Sequence, residues 1–252
     1  MKKVLTVGGS DCSGGVGIQA DLKTMTVHEV YGMSVVTGLA ARNTMGVHGT
    51  FPVSPQFVTA QLDAIFTDLF PHAIKVGMVD DGEIIEVIRE KFSEYGVKNV
   101  VIDPIMVCDG GNRFLDASVI DAVIDSLIPT ATIITPNIPE AEILSSYKIT
   151  KPEDMITAAE KIAISFEGAV LITGGHLAGS ADDLLFVDGD VSWFKADRIN
   201  NTNTYGKGCI LSTAIACNLA KGLDLVESIN LAKGYLTDRL GVCPQCHQAT
   251  LP

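Results

Sequence analysis

The sequence is short of basic residues. It has 18 lysines and arginines against 30 aspartates and glutamates, which gives a formal net charge of -12 at pH 7. A surface that binds nucleic acid or an anionic membrane needs an excess of positive charge. We therefore expect neither as the main partner, although a local basic pocket stays compatible with the composition.

Long apolar runs are also missing. The sequence has no run of about 18 apolar residues, so we expect no transmembrane helix. The first apolar stretch, from Lys3, reaches glycine too soon to be the apolar region of a signal peptide, and we interpret it as a strand. Six cysteines are scattered along the chain, and we expect them to be mostly reduced, as in a cytoplasmic protein.

The chain is rich in apolar residues, which make up 47% of its 252 positions. Apolar runs of strand length alternate with segments of helical periodicity, such as Gly82 to Tyr95, and Asp188-Gly189-Asp190 is typical of a hairpin turn. This order predicts an α/β fold with a central, mostly parallel sheet and helices on both faces. Without repeats, linkers or composition breaks, we expect one domain over residues 1–240 and a short tail over 241–252.

Polar residues and glycines collect where the predicted strands end. Ligands of such sheets bind beyond the carboxyl ends of the strands. Several strands that end this way predict a functional site at that edge. The segments are Gly8 to Asp11, Ala41 to Thr44, Gly77-Met78, Asp103-Pro104, Thr135 to Asn137 and Thr173 to Gly175.

A glycine-rich turn, Gly206-Lys207-Gly208-Cys209, leads into a segment of helical spacing that stops at Lys221-Gly222. The glycines let backbone N–H groups converge, and the helix dipole favours an anion such as phosphate. A cysteine at a helix N-terminus has a stabilised thiolate. We expect an anion hole with a reactive Cys209; an ordinary loop before a core helix, with Cys209 as a small buried residue, fits the same residues.

Oxygen ligands for a cation lie near the predicted sheet edge. Asn137 and Glu140 are three residues apart at a helix start, where both can face Mg²⁺ or its waters. The same pair makes a good N-cap and capping box. Asp103 is a carboxylate at the edge or, alternatively, an ordinary turn aspartate.

Three familiar motifs are not supported. Gly14-Gly15-Val16-Gly17 lacks the dinucleotide-binding spacing, and Arg42 stands near the position where that site needs an acidic residue. Asn201 and Gly208 replace required residues of a P-loop. The tail segment Cys243 to His247 matches a haem attachment pattern, but without an export signal we favour a solvated tail or an adventitious metal site.

Eight segments carry a joint resemblance: 9–24, 31–34, 43–47, 60–63, 103–107, 135–142, 174–177 and 203–209. In register over about residues 3–240, they resemble the hydroxymethylpyrimidine/phosphomethylpyrimidine kinases of thiamine biosynthesis. These belong to the ribokinase-like superfamily and are close to bacterial pyridoxal kinases. The resemblance implies ATP and Mg²⁺ as cofactors, a small heterocyclic substrate and a homodimer.

The resemblance also implies roles for individual residues. Cys209 matches the catalytic cysteine, which would act as a base toward the substrate hydroxyl with a pKa lowered by the helix. Gly206, Lys207 and Gly208 would form the anion hole. Asp103, Asn137, Thr173 and Gly175 would bind nucleotide and phosphate. Asp103, Asn137 and Glu140 would hold the metal. The substrate pocket would include Gly9, Asp21, Arg42, Met78, Ile105 and Cys108.

Several positions depart from the pyrimidine kinase pattern. Arg42 replaces a glutamine and has no acceptor for an aminopyrimidine edge. Cys108 and Thr173 are as in the pyridoxal kinases. Lys207 replaces a small residue of the anion hole, where a lysine would either supply positive charge or obstruct the binding of the anion. Asn201 replaces the usual threonine. We therefore expect a hydroxymethylpyrimidine or hydroxymethylpyrimidine phosphate kinase, with a pyridoxal, pyridoxine or pyridoxamine kinase or a non-catalytic ligand-binding relative as alternatives.

Overall fold

The structure is a computed structural model that describes residues 1–107, 115–177, 181–196 and 206–242. The parts of the sequence around Cys108, around Asn201 and in the tail lie outside these ranges. The strands are β1 (Lys3–Asp11), β2 (Tyr31–Asn43), β3 (Gly46–Pro52), β4 (Ala73–Val76), β5 (Val100–Ile102), β6 (Ile133–Ile134), β7 (Ala169–Ile172), β8 (Asp183–Val187) and β9 (Asp190–Phe194). The α-helices are α1 (Gly17–Val27), α2 (Pro55–Phe66), α3 (Gly82–Tyr95), α4 (Ala117–Ala122), α5 (Ile138–Ser145), α6 (Pro152–Ile162), α7 (Lys207–Lys221) and α8 (Leu225–Val242).

All the described strands belong to one sheet, in the order β3-β2-β1-β4-β5-β6-β7-β8-β9. The six central strands β2, β1, β4, β5, β6 and β7 run parallel to one another, whereas β3 pairs antiparallel with β2, β8 with β7 and β9 with β8. Asp188 and Gly189, both with positive φ, form the turn between β8 and β9. The predicted mostly parallel sheet and this hairpin are confirmed.

Two buried apolar layers cover the two faces of the sheet, as predicted. One layer receives side chains from α2 to α6, including Leu62, Ile88 and Met155. The other receives side chains from α1, α7 and α8, including Met25 and Ile215. Because neighbouring strand residues point to opposite faces, β1, β4, β5, β6 and β7 each contribute side chains to both layers.

Helix boundaries follow local capping. The Asp81 side chain accepts N–H hydrogen bonds from Glu83 and Ile84 at the start of α3, and Gly96 ends that helix with φ 60°. Ser54 caps α2 in the same way through the Phe57 N–H. These signals place α3 at the residues predicted from periodicity.

Two elements differ from the prediction. Strand β3 was not expected, because its glycines and exposed side chains give no apolar alternation. The predicted helix from Ala117 to Leu127 is α-helical only to Ala122 and continues as a π-helical turn, Val123–Leu127, and a short 3₁₀ turn, Ile128–Thr130. Pro129 within that last turn lacks the N–H that a continuing α-helix needs.

In the described ranges, no helix is both long enough and apolar enough to span a membrane.

Candidate active site

Backbone hydrogen bonds align the ends of five neighbouring strands. The N–H of Gly77 donates to Val7 O at 2.9 Å, that of Asp103 to Val76 O at 2.9 Å, and that of Thr135 to Ile102 O at 3.0 Å. Thr173 N–H donates to Pro136 O at 2.9 Å, and Thr173 forms an isolated bridge with Asn137. The segments following β4, β5, β6 and β7 therefore leave the sheet side by side, as the sequence predicts.

Helix α7 begins against this edge. Gly206 has φ 78°, and a side chain there would collide with the carbonyl oxygen of Gly15. A Cβ at Gly208 would lie 3.2 Å from an Asp103 carboxylate oxygen. The absence of side chains at both positions thus lets the first turn of α7 approach the α1 loop and Asp103. This arrangement presents the N–H groups of the helix start next to a carboxylate at the strand ends.

The structure corrects the expected state of Cys209. Its side chain is buried, and burial raises its pKa to about 12, even though Lys75 and a hydrogen bond from the Gly17 N–H act to lower it. The helix N-terminus and the nearby lysine do not offset the desolvation of a thiolate at this position. The thiol is therefore protonated at neutral pH, contrary to the lowered pKa predicted from the sequence.

Asp103 is a buried carboxylate that faces the start of α7. Ser212, which donates to Gly208 O at 2.7 Å, is 3.5 Å from Asp103 Oδ2. Burial raises the pKa of Asp103 to about 6, with Lys75 opposing and Asp21 adding to the shift. The group is largely ionised at neutral pH and available to a cation.

Asn137 and Glu140 form the capping box of α5. Asn137 Oδ1 accepts from Glu140 N–H at 3.0 Å, and Glu140 Oε2 accepts from Asn137 N–H at 2.9 Å. Glu140 also accepts from Met106 N–H at 3.3 Å. Burial and the nearby negative charge of Asp103 raise the pKa of Glu140 to about 8. The capping interpretation is confirmed, and the metal role of this pair stays a prediction.

Asp21 is a buried, fully hydrogen-bonded carboxylate. Its carboxylate is 1% exposed and accepts hydrogen bonds from Thr6, Lys75 and Thr213. The predicted place of Asp21 in the substrate pocket stays a prediction. Lys75, which forms an ion pair with Asp21 at 3.0 Å, was missed in the sequence. The available signal was a lysine inside a short apolar run.

The remaining predicted substrate residues lie at or near the strand ends. A Cβ on Gly9 would be 3.2 Å from Met78 Cε, so these two residues are in close contact. Ile105 follows Asp103 and is half-buried. Arg42 lies on β2, where its N–H donates to Cys12 Sγ at 3.3 Å. Cys108 is outside the described residues, so its predicted role stays a prediction.

A second buried ion pair holds in place the turn from Thr173 to Gly175, which is predicted to contact the nucleotide. Asp183 accepts from the Gly174 N–H at 3.0 Å and pairs with Lys233 of α8 at 2.6 Å. A side chain on Gly174 would collide with the carbonyl of Asp182. The turn between Thr173 and Gly175 is thereby fixed to the sheet, with Gly175 exposed.

A sequence model of the family described as phosphomethylpyrimidine kinase matches residues 11–251. The chain belongs to this family. It is 44% identical over 234 residues to a hydroxymethylpyrimidine/phosphomethylpyrimidine kinase of Rhizobium meliloti, covering 92% of this chain and 88% of that protein. It is 46% identical to the thiamine biosynthesis bifunctional protein ThiED of Geobacter sulfurreducens, covering 93% of this chain but only 48% of that protein.

Solved structures of related kinases share the fold. A phosphomethylpyrimidine kinase from Clostridium difficile 630 superposes with a TM-score of 0.87 at 40% identity, covering 95% of this chain and 99% of that one. A pyridoxal kinase from Staphylococcus aureus, solved with AMP-PCP, gives a TM-score of 0.90 at 32% identity, covering 99% and 91%. The ribokinase-like fold predicted from the resemblance is confirmed.

Proposed function

We propose that this member of the phosphomethylpyrimidine kinase family uses ATP to phosphorylate the hydroxymethyl group of hydroxymethylpyrimidine, of its monophosphate, or of both. One observation carries the proposal: the N-terminal turn of α7 meets Asp103 at the shared end of the parallel strands. Donors for phosphoryl oxygens and a carboxylate for a cation are therefore adjacent. Phosphoryl transfer depends mainly on such positioning and charge neutralisation.

The residues present fit a magnesium–nucleotide complex. Within the described ranges, no three His, Cys, Asp or Glu side chains form a metal-binding group by themselves. Mg²⁺ in kinases is commonly held by one or two carboxylates together with substrate phosphates. Burial raises the pKa values of Asp103 and Glu140, and a bound cation would stabilise the ionised form of both carboxylates. Asp103, Glu140 and Asn137 would hold the ion, which neutralises phosphate charge when bound.

The protein's part in the reaction is binding and orientation. Backbone N–H groups of Gly206 to Cys209 would hold the phosphoryl oxygens, and Lys207 would add positive charge to them. The protonated Cys209 thiol would hydrogen-bond the substrate hydroxyl. In a loose transition state the hydroxyl proton leaves late, so a strong base is not required at the start of the transfer. Because the thiol already holds its own proton, the hydroxyl proton would pass to an oxygen of the transferred phosphoryl group, and Cys209 would act as a base only from its thiolate form.

The substrate pocket would be formed by Gly9, Arg42, Met78, Ile105 and Cys108. Pyridoxal, pyridoxine or pyridoxamine is the second candidate substrate class, because Cys108 and Thr173 match the pyridoxal kinases and a related pyridoxal kinase superposes closely. Thr173 and Gly175 would contact the nucleotide. A non-catalytic ligand-binding relative is a further alternative, motivated by Arg42, Lys207 and Asn201.

A substrate panel tests these alternatives. ATP consumption is measured with hydroxymethylpyrimidine, its phosphate, pyridoxal and pyridoxine, using wild type and Cys209→Ala. We expect turnover of the pyrimidines by wild type and a large loss in the variant. Ligand binding without turnover on any substrate would contradict the kinase proposal. Selective loss of pyridoxal turnover in Cys108→Ala would favour the second class, and better pyrimidine use by Arg42→Gln would show that Arg42 redirects the pocket.

We also propose that residues 1–240 act as a single kinase domain in the cytoplasm and that the protein is a homodimer. The β2–β3 hairpin supports the dimer. Leu39, Val47 and Phe51 are apolar and exposed there, and β3 is a sheet edge. Exposed apolar side chains on an unpaired edge strand favour association with another protein surface.

A further inference from the structure

Lys75 lies on a central buried strand of the sheet. It is 1% exposed, and Ile74 and Val76 on either side of it belong to the apolar layer under α2 to α6. By strand alternation Lys75 faces the opposite layer, the one that contains α1 and α7. A buried ion pair is seldom more stabilising than apolar residues of the same volume. Stability alone therefore does not account for a lysine at this position.

Four elements meet at the carboxylate of Asp21 on α1. The Nζ of Lys75 on β4 lies 3.2 and 3.0 Å from its two oxygens, Oδ1 and Oδ2. Thr6 of β1 and Thr213 of α7 donate to the same carboxylate at 2.6 and 2.8 Å. Thr213 is one helical turn after Cys209. Asp21, held by Lys75, thus ties the beginning of α7 to strands β1 and β4.

The amino group of Lys75 also lies close to the candidate active site. A Cβ on Gly77 would be 2.7 Å from Lys75 Nζ, so the amino group lies against the chain where β4 ends and Met78 follows. Its positive charge lowers the pKa values of both Asp103 and Cys209, against the larger effect of burial. The lysine therefore acts electrostatically on the two groups that face the start of α7.

We propose that Lys75 and Asp21 are positioning residues for phosphoryl transfer, holding the first turn of α7 against Asp103 and placing a buried positive charge behind it. This role does not require either residue to touch the substrate. The pair acts through Thr213 on the helix that carries Cys209. The proposal rests on the proposed kinase function and adds to it two residues on which the geometry of the phosphoryl site depends.

The test combines turnover with stability. Lys75→Met keeps the length of the side chain without its charge, Asp21→Asn leaves the lysine without a counter-charge, and the double variant removes both charges. Lys91→Met is the matched control, because Lys91 pairs with Asp63 at 2.8 Å on the outside of α3. For each variant, kcat, KM for ATP and KM for hydroxymethylpyrimidine are measured per folded molecule, together with the urea midpoint.

We expect Lys75→Met to lower kcat about 100-fold, the scale of a small misplacement of reacting groups, with KM for ATP changed by less than about three-fold. The double variant should recover the urea midpoint lost in Asp21→Asn but not the lost kcat. Lys91→Met should keep the wild-type kcat.

Two results would overturn the positioning role while the kinase function stands. One is a kcat of Lys75→Met within about three-fold of wild type. The other is a double variant that recovers kcat along with stability, which would make the pair purely structural. If wild type turns over no substrate of the panel, the proposed function fails, and the inference that rests on it fails as well.

Discussion

Gly208 is a residue whose missing side chain determines the geometry of the site. A Cβ there would lie 3.2 Å from Asp103, close enough to force a shift of a few tenths of an ångström. Gly208→Ala should therefore lower kcat by about 10-fold or more while the melting temperature changes little. Steady-state kinetics and thermal unfolding measure the two effects.

Gly234→Ala is the control for that substitution. Gly234 lies in α8, and a Cβ there would have no neighbouring atom within 4 Å, so alanine fits without a clash. The substitution should raise stability by about 1 kcal/mol and leave kcat unchanged. If Gly208→Ala keeps full activity, the close approach between α7 and Asp103 is not required for turnover.

Glu140 makes stability depend on pH in a defined direction. Its pKa rises from an ordinary 4.5 to about 8 in the folded protein, so the folded state binds the proton more tightly than the unfolded chain. The contribution of this proton to the free energy of unfolding is fully present below pH 4.5 and is lost as the pH rises through about 8. Without Mg²⁺ or nucleotide, the urea midpoint should fall between pH 5 and pH 8.

Glu140→Gln tests this assignment. Glutamine cannot ionise, and it offers one acceptor oxygen to the N–H groups of Met106 and Asn137, so the variant should be less stable than wild type at pH 5. Its urea midpoint should also vary less with pH than that of wild type. Equal pH dependence in both proteins would show that Glu140 is already ionised in the folded state.

At the scale of the element, α5 combines a capping function with a proposed metal function. Asn137→Ser keeps an N-cap oxygen but loses the amide, whereas Asn137→Ala loses both. We expect the serine variant to keep near-wild-type stability and to need a several-fold higher Mg²⁺ concentration for half-maximal rate. The alanine variant should also lose about 1 kcal/mol of stability.

Ser54→Ala on α2 gives the comparison for α5. It removes the N-cap of a helix that carries none of the proposed metal ligands, and it should cost about 1 kcal/mol with unchanged Mg²⁺ dependence. An unchanged Mg²⁺ requirement in both Asn137 variants would leave Asn137 as a helix cap alone.

The elements also show how far local sequence signals reach. Helix α3 could be predicted to its end residues because its apolar spacing and its caps lie within the same short segment. Strand β3 could not, because its side chains are mostly exposed and carry no alternating pattern. The strand-end segments could be placed at one edge because parallel strands carry their carboxyl ends together.

Long-range contacts set the limit for the site. Lys75 was missed because its partner Asp21 is 54 positions away, and the Thr213 that completes the network is 192 positions from Asp21. The pKa of Cys209 was predicted with the wrong sign because a helix start is visible in the sequence, whereas the burial around it depends on the whole fold.

At the scale of the whole molecule, the exposed hairpin predicts a dimer that substitution can dissociate. Phe51 on the edge strand β3 is 68% exposed, and Val47 on the same strand is 50% exposed. Phe51→Lys combined with Val47→Lys adds two charges to this edge, and charged edge strands resist pairing. Sedimentation should show a dimer for wild type and a monomer for the double variant at micromolar concentration.

Ile164→Lys separates an effect of the β3 edge from one of surface charge in general. Ile164 is 85% exposed and follows α6, so its substitution adds a charge without touching the hairpin, and this variant should remain dimeric. A monomeric wild type would contradict the proposed homodimer, and a double variant that stays dimeric would place the interface elsewhere.

Because the hairpin includes Arg42, the dissociated variant should also bind substrate more weakly. Loss of dimerisation with an unchanged KM for the substrate would make the interface independent of the pocket.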